Sequence, residues 1–253
     1  MPWDSVQYNK FKEERFTPFE DLFALIKVRD GMSAVDLGCG TGELTSQLAD
    51  RLPGSSILGI DNSPQMLQRA ETQGRPGLAF TCGDIATLDG QWDLVFSHAA
   101  IHWLDNHLAL IPRLMTLVIP GGQLAVQEPS NHRHPSHALI IETASEEPFR
   151  TALGGWVRLS PILEIDRYAE LLHESGGTEI TVFEKVYPHL LADADALVEW
   201  TSGTTLVPYM ERLPQELHAG FLVRYSKKLH TLWPRGPVFY TFRRIIMVAT
   251  RGE

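Results

Sequence analysis

The chain has 253 residues, 43% of them hydrophobic and 21% charged, with a formal net charge of −9. That length suffices for one large α/β domain with a substantial core, with two small domains as the alternative, and the composition argues against disorder. The acidic excess disfavours nucleic acid and anionic lipid as partners, and no apolar run is long enough to span a bilayer.

The chain opens on MPWDSVQYNKFKEERF, a mixed-charge stretch that does not read as a secretory signal. Short apolar runs then alternate with helix-like segments, the pattern of βαβ units and a parallel sheet. Ser33 to Leu37 reads as the first strand and runs into a glycine-rich turn. Glu43 to Leu52 reads as a helix, with Leu44, Leu48 and Leu52 on one face. Ser56 to Ile60 is the second strand. Ser63 and Pro64 look like an N-cap and a first helical position, opening a helix to about Glu71. Leu78 to Thr81 and Trp92 to Ser97 read as the third and fourth strands, the latter uninterrupted and apolar. Leu108 to Val118 is a helix stopped by Pro120-Gly121-Gly122, and Gln123 to Gln127 is the fifth strand. Pro129 to Pro161 looks irregular or partly helical. Arg167 to Glu174 reads as a helix, Glu179 to Tyr187 as a strand, Ala192 to Trp233 as mostly helical, and Val238 to Thr250 as a strand. The last two strands are expected to pair and complete the sheet, with the helical stretch between them as a cap.

Three acid-bearing turns fall at the carboxyl ends of strands, where α/β sheets bind ligands. The first is Asp36-Leu37-Gly38-Cys39-Gly40-Thr41-Gly42. Glycines at alternate positions let backbone turn sharply and approach a ligand. Dinucleotide enzymes use G-x-G-x-x-G with pyrophosphate at the helix end. Here the spacing is G-x-G-x-G after an acid, which suits a cofactor with an ammonium group and no phosphates, S-adenosylmethionine rather than NAD. The alternative is a purely structural turn. Asp61, beside Asn62 and 21 residues after Gly40, is placed to accept both hydroxyls of a ribose. Met66 on the next helix is a candidate to pack an adenine face, or simply core. Gly83-Asp84-Ile85 forms the third turn, with Asp84 for an exocyclic amine and Ile85 over the ring. Ser97 and His98, ending the fourth strand, face the same edge.

The ordered set D-L-G-C-G-x-G, G-I-D-x-S-P-x-M, a Gly-Asp turn, D-L-V-F-S and P-G-G resembles the Rossmann-like methyltransferases that use S-adenosylmethionine, over about residues 33–127. A closer likeness is to the trans-aconitate 2-methyltransferase family. It is carried by Tyr8, Phe11, Glu14-Arg15, Ile101-His102-Trp103-Leu104, Leu124 to Gln127, Glu199-Trp200-Thr201 and Arg244 to Ala249. The resemblance implies a seven-stranded, mostly parallel sheet with an antiparallel last strand and a helical cap. It implies methyl transfer to a carboxylate of a polyacid. It also implies that the segment around Tyr8 and Arg15 closes over the cofactor, which Gly38, Gly40, Gly42, Asp61, Asp84 and Ile85 contact. The expected organisation is a single methyltransferase domain, 1–253, with N-terminal lid helices (1–30), a cofactor half (31–128) and cap segments (129–165 and 189–235). One departure concerns the acceptor. Where the family resembles T-G-L-R-P, this chain reads Thr204-Thr205-Leu206-Val207-Pro208, so Val207 replaces an arginine able to hold a carboxylate.

A carboxylate acceptor is ionised at neutral pH and needs no general base. A hydroxyl, phenol or amine acceptor would need one, and His102 is the candidate, with packing or capping as its alternative role. Trp103, Trp156, Tyr209 and Phe239 are candidates to line an acceptor pocket, although aromatics are ordinarily core. Arg244 is the preferred anion holder among the basic residues of the C-terminal third, where eight bases outnumber six acids. His98 with His102, and His132, His134 and His137, form no convincing metal-ligand set, so none is expected. A nicotinamide oxidoreductase, a cofactor-binding protein without catalysis and a nucleic-acid methyltransferase are the competing classes. The chain lacks the Asn/Asp-Pro-Pro-Tyr/Phe motif of amino-group base methylases. Two cysteines imply no disulfide framework and point to the cytoplasm. A monomer or homodimer acting on a small molecule is expected, without nucleic acid or membrane.

Overall fold

The computed structural model describes residues 13–253, with side chains from Phe16 onward. Helix α1 (Glu13–Phe23) precedes β1 (Ser33–Leu37), α2 (Glu43–Arg51), β2 (Ser56–Asp61), α3 (Pro64–Ala70), β3 (Leu78–Cys82), β4 (Trp92–His98), α4 (His107–Thr116) and β5 (Val118–Pro129). There follow α5 (Pro135–Ala144), α6 (Phe149–Ala152), α7 (Ile165–Glu174), β6 (Gly177–Leu191), α8 (Ala194–Ser202), α9 (Val207–Arg212), α10 (Gln215–Leu232) and β7 (Val238–Arg251).

The seven strands form one sheet in the order β3-β2-β1-β4-β5-β7-β6. The pairs from β3 through β5 are parallel, and β7 runs antiparallel to β5. The order reverses between β1 and β4, which opens a crevice at their carboxyl ends.

Two compact units divide the chain. The first comprises Glu13–Pro129, Pro161–Lys185 and Arg244–Glu253. Its strands alternate between two cores, as a period of two requires. Val35, Leu37, Val95, Leu124, Val126, Ile245 and Met247 turn to one face, against Leu110 and Leu114 of α4 and Leu171 of α7. Ala34, Leu94, Phe96, Ala125, Ile246 and Val248 turn to the other, against Phe19 and Leu22 of α1 and Leu48 of α2. With both faces covered, the central strands read as unbroken apolar runs. The second unit includes Ser130–Ser160 and Val186–Arg243 and has a core of its own, built on Ile140, Phe149, Trp200, Tyr209, Phe221 and Tyr225.

The cap at Ser63 forms as its sequence implies: its hydroxyl accepts from the Met66 amide at 3.3 Å, and Pro64 opens α3. One other expectation is corrected. Pro120-Gly121-Gly122 does not separate helix from strand, because α4 ends at Thr116 and β5 already begins at Val118. The triplet lies in a bulge: Trp92 pairs with Val118 but Leu94 with Gln123, so β5 carries extra residues there. Gly121 takes a positive φ of 75° in that bulge. Residues 129–161 are partly helical, one of the two readings of that stretch, and hold two helices, α5 and α6. Pro135, a breaker by composition, occupies the first turn of α5, where its missing N–H costs nothing.

Candidate active site

After β1 the chain passes through three glycines in the left-handed region, Gly38 (φ 79°), Gly40 (φ 55°) and Gly42 (φ 77°). The space around them differs. A Cβ on Gly38 would lie 2.2 Å from the Ala100 Cβ, and one on Gly42 2.9 Å from the Ala70 backbone and the Phe80 ring. At Gly40 a Cβ would meet nothing within 4 Å, so this glycine fronts open space.

Four amides of the turn are satisfied within the protein. Gly38 and Cys39 N–H donate to the Ile60 carbonyl at 2.8 and 2.9 Å, and Gly42 N–H to the Cys39 carbonyl at 3.0 Å. Gly40 N–H donates to Asp61 Oδ2 at 2.9 Å. A phosphate cradle needs such amides free and pointing at the ligand. This turn instead suits a cofactor without phosphates.

Asp61 is half-buried at the end of β2. Its Oδ1 accepts from Ser63 N–H at 2.8 Å, so each oxygen holds one backbone amide and keeps a second lone pair for a hydroxyl. Asn62 beside it is exposed. Gly83 N–H donates to the Asp61 carbonyl at 3.1 Å, which ties the third turn to the second. Asp84 is exposed, and its Oδ1 accepts from Ala86 N–H at 2.9 Å. Ile85 is half-buried and lies 3.8 Å from where a Gly38 Cβ would stand.

Asp36 is 3% exposed and its Oδ2 accepts from Thr45 Oγ1 at 2.6 Å, joining β1 to α2. Burial lifts its carboxyl to about 7; the Thr45 hydrogen bond opposes this and the charge of Asp61 adds to it. Cys39 packs with Leu67 and Ala70, and burial pushes its thiol well above the ordinary range. Its sulfur belongs to the core, and its N–H and carbonyl are both engaged within the protein. Met66 is likewise buried in α3.

At the end of β4 the buried Ser97 hydroxyl donates to the Leu37 carbonyl at 3.0 Å. The His98 ring meets Phe19 edge-on at 6.2 Å. Ala99 takes a left-handed φ of 55°, the sharp turn that lays Ala100 over Gly38. His102 and Trp103 follow in a short 3₁₀ turn, half-buried, their rings 4.8 Å apart. The carboxyl edge of the sheet thus brings together the glycine turn, Asp61, Asn62, Asp84, Ile85, Ser97, His98 and His102. Arg244, at the β7 position facing Pro129, is 5% exposed and donates from Nη1 to Gln127 Oε1 at 3.0 Å.

Trp156 and Tyr209 belong to the second unit, with rings 5.2 Å apart. The Arg212 guanidinium lies 4.1 Å over Trp156, and the buried Tyr209 hydroxyl accepts from Arg158 N–H at 3.1 Å. Phe239 is exposed. Tyr8 lies outside the described residues, as does the side chain of Arg15. His134 and His137 bond to Ser136 and Thr205, and among the described residues no group of three ligands is arranged for a metal. One polar cluster had no local signal in the sequence. Glu128, His107 and Tyr168 meet in the interior of the first unit, with 61 residues separating the last two.

A methyltransferase-domain family model matches residues 35–126. The trans-aconitate 2-methyltransferase of Deinococcus radiodurans is 48% identical over 259 residues, covering 100% of both chains. That of Rhizobium meliloti is 40% identical over 258 residues, again covering 100% of both. In fold, the chain resembles phosphoethanolamine N-methyltransferase 2 of Haemonchus contortus in complex with S-adenosyl-L-methionine. The TM-score is 0.56 at 15% identity, covering 94% of this chain and 53% of that one.

Proposed function

Because the chain belongs to the trans-aconitate 2-methyltransferase family and is an S-adenosylmethionine-dependent methyltransferase, we propose that it methylates a carboxylate oxygen of a small polycarboxylic acid of the trans-aconitate type, giving a monomethyl ester. The cofactor supplies an electrophilic methyl group on a sulfonium. The glycine turn supports this reading best: four of its amides are taken within the protein, and Gly40 fronts open space beside a carboxylate with lone pairs to spare.

Asp61 would hold the ribose hydroxyls, and Asp84 and Ile85 the adenine. Met66, Asn62, Gly83, Ser97 and His98 would complete the walls, with Asp36 near the ammonium end. The acceptor carboxylate, with an intrinsic pKa of about 4, arrives ionised, so the residues need only align it and exclude water. Arg244, steadied by Gln127, is the residue we assign to an acceptor carboxylate, with Trp103 shaping its apolar part. His102 keeps a second reading open, because it stands in the turn after β4: with a hydroxyl, phenol or amine acceptor it would serve as base.

The reading includes a bacterial cytoplasmic home, a monomer or homodimer, and no nucleic-acid or membrane partner. It is supported by bacterial relatives and two free thiols, and no helix among the described residues is long and apolar enough to cross a membrane. The test is transfer of a labelled methyl group from S-adenosylmethionine to trans-aconitate and a panel of di- and tricarboxylates, with hydroxyl and amine acceptors as controls. An alkali-labile ester product supports the proposal. Label appearing only on hydroxyl or amine acceptors replaces it with the His102 reading.

A further inference from the structure

Beyond the donor turn, the carboxyl edge of the sheet carries a row of polar side chains on one face. The strands run β1-β4-β5-β7 across it. His98 ends β4, Gln127 stands at its register position on β5, and Arg244 of β7 faces Pro129. Register partners and alternate residues share a face. All three therefore turn to the side that Phe96, Ala125 and Ile246 share with Phe19 of α1. The His98 ring meets Phe19 there. All belong to the first unit, and Gln127 lies between the donor wall and the residue assigned to the acceptor.

Gln127 is fully buried and Arg244 nearly so. Arg244 Nη1 donates to Gln127 Oε1 at 3.0 Å, and this contact fixes the amide. A guanidinium only donates, so the carboxamide turns its oxygen to Arg244 and its nitrogen away. Nε2 carries two hydrogens, and among the described residues no group accepts them. A buried N–H₂ without an acceptor is unfavourable, because water no longer solvates it. Were Gln127 present only to steady Arg244, its oxygen would suffice, and a glutamate would hold the guanidinium more strongly.

We propose that Gln127 is a specificity-determining residue for the acceptor. Its Nε2 donates to the carboxylate that Arg244 holds, and the pair anchors one carboxylate of the polyacid while another takes the methyl group. The proposal rests on the acceptor reading above. The amide nitrogen and the guanidinium offer hydrogens and no lone pair, so they match a group that only accepts. A carboxamide in that place brings hydrogens of its own and is disfavoured. Both side chains are closed to solvent, so the acid enters by displacing what covers them, and its hydrogen bonds form without competing water.

Donated hydrogens draw electron density from the anchored carboxylate and make it the poorer nucleophile. The methyl group therefore goes to a second carboxylate. Its oxygen lone pair forms the O–C bond, the C–S bond breaks, the electrons of that bond stay on sulfur, and no proton moves. The product keeps its anchor carboxylate unesterified.

The test compares wild type with Gln127→Glu, which keeps an oxygen for Arg244 and exchanges the donor for an acceptor of nearly the same shape. The substrates are trans-aconitate and its monoamides. In the variant, kcat/KM for trans-aconitate falls about a hundredfold or more, because a hydrogen bond to a charged group is lost and a like charge is gained. S-adenosylhomocysteine affinity, measured by calorimetry, is unchanged. One monoamide, poor with wild type, gains on trans-aconitate in the variant, because its N–H₂ now meets a carboxylate. A merely structural role moves no such preference. In wild type saturated with S-adenosylhomocysteine, the side-chain amide resonances of Gln127 shift when trans-aconitate is added, and they decide alone should Gln127→Glu not fold. Wild-type methylation of trans-aconitate by Gln127→Glu, or amide resonances unmoved by saturating acid, overturns the anchor role and leaves the acceptor reading standing. No transfer by wild type to any polycarboxylate overturns both.

Discussion

The Gly40 amide donates to the Asp61 carboxylate at 2.9 Å, so the acid at the end of β2 already holds the glycine turn before any sugar arrives. One side chain thereby sets both the shape of the cradle and the contact expected with the ribose. Asp61→Ala removes two charged hydrogen bonds to the donor and should weaken S-adenosylhomocysteine binding by about a hundredfold or more. The amides of Gly40 and Ser63 lose their acceptor as well, so a modest fall in melting temperature accompanies it. Calorimetry and thermal unfolding of the same variant check the two effects. Unchanged donor affinity would remove Asp61 from the site.

Two glycines in the same turn should answer differently to one added methyl group. Gly38→Ala drives a Cβ to 2.2 Å from that of Ala100, a clash that must displace the turn after β4, at a cost of about 2–3 kcal/mol or more. Gly40→Ala meets no protein atom within 4 Å and carries only left-handed strain of about 1–2 kcal/mol. The expected outcome is a marked loss of melting temperature for Gly38→Ala. Gly40→Ala should stay folded and lose donor affinity, because its methyl group enters the space assigned to the donor. Equal donor affinity in Gly40→Ala and wild type would place the ligand elsewhere.

The glycine turn and the central strands were legible in the sequence because each is a local pattern: a buried apolar run, a left-handed turn, a helix start. The bulge at Pro120-Gly121-Gly122 was not, since it is defined by the register of β5 against β4, and proline with two glycines looks the same at a break and at a bulge. Helix α5 was legible only as a partly helical stretch without bounds, because a proline such as Pro135 marks a helix start as readily as a break. The cluster of Glu128, Tyr168 and His107 left no trace for a stronger reason. Its members come from three elements far apart in sequence, and each alone resembles an ordinary core or end residue. Asp36 was legible as part of the motif, but its hydrogen bond to Thr45 and its burial were not.

That burial gives Asp36 a measurable pH signature. Its carboxyl is raised to about 7 when folded, so the folded chain keeps a proton that the unfolded chain releases near pH ~4. The stability it contributes is therefore complete below about pH 4 and is lost as pH rises through about 7. Asp36→Asn should flatten this slope in denaturant titrations and gain on wild type toward alkaline pH. If the donor's ammonium sits near Asp36, binding draws off the proton. Calorimetry of S-adenosylhomocysteine just below pH 7, in buffers of different ionisation enthalpy, should then show proton release in wild type and none in Asp36→Asn. Equal proton release in both would assign Asp36 to structure alone.

Arg244 separates acceptor from donor chemistry. Its guanidinium is nearly enclosed and steadied by Gln127, which favours paired hydrogen bonds to a carboxylate over a loose charge contact. Lysine keeps the charge but loses the planar fork. In Arg244→Lys, kcat/KM for the polycarboxylate should fall by about tenfold to a hundredfold, the weight of one or two hydrogen bonds to a charged group. S-adenosylhomocysteine affinity should be unchanged, because no contact to the donor is assigned to this residue. A matching fall in both quantities would mean that Arg244 supports the sheet edge as a whole. Loss confined to the acceptor would give the acid its anchor in the first unit, and would account for turnover without the family arginine at Val207.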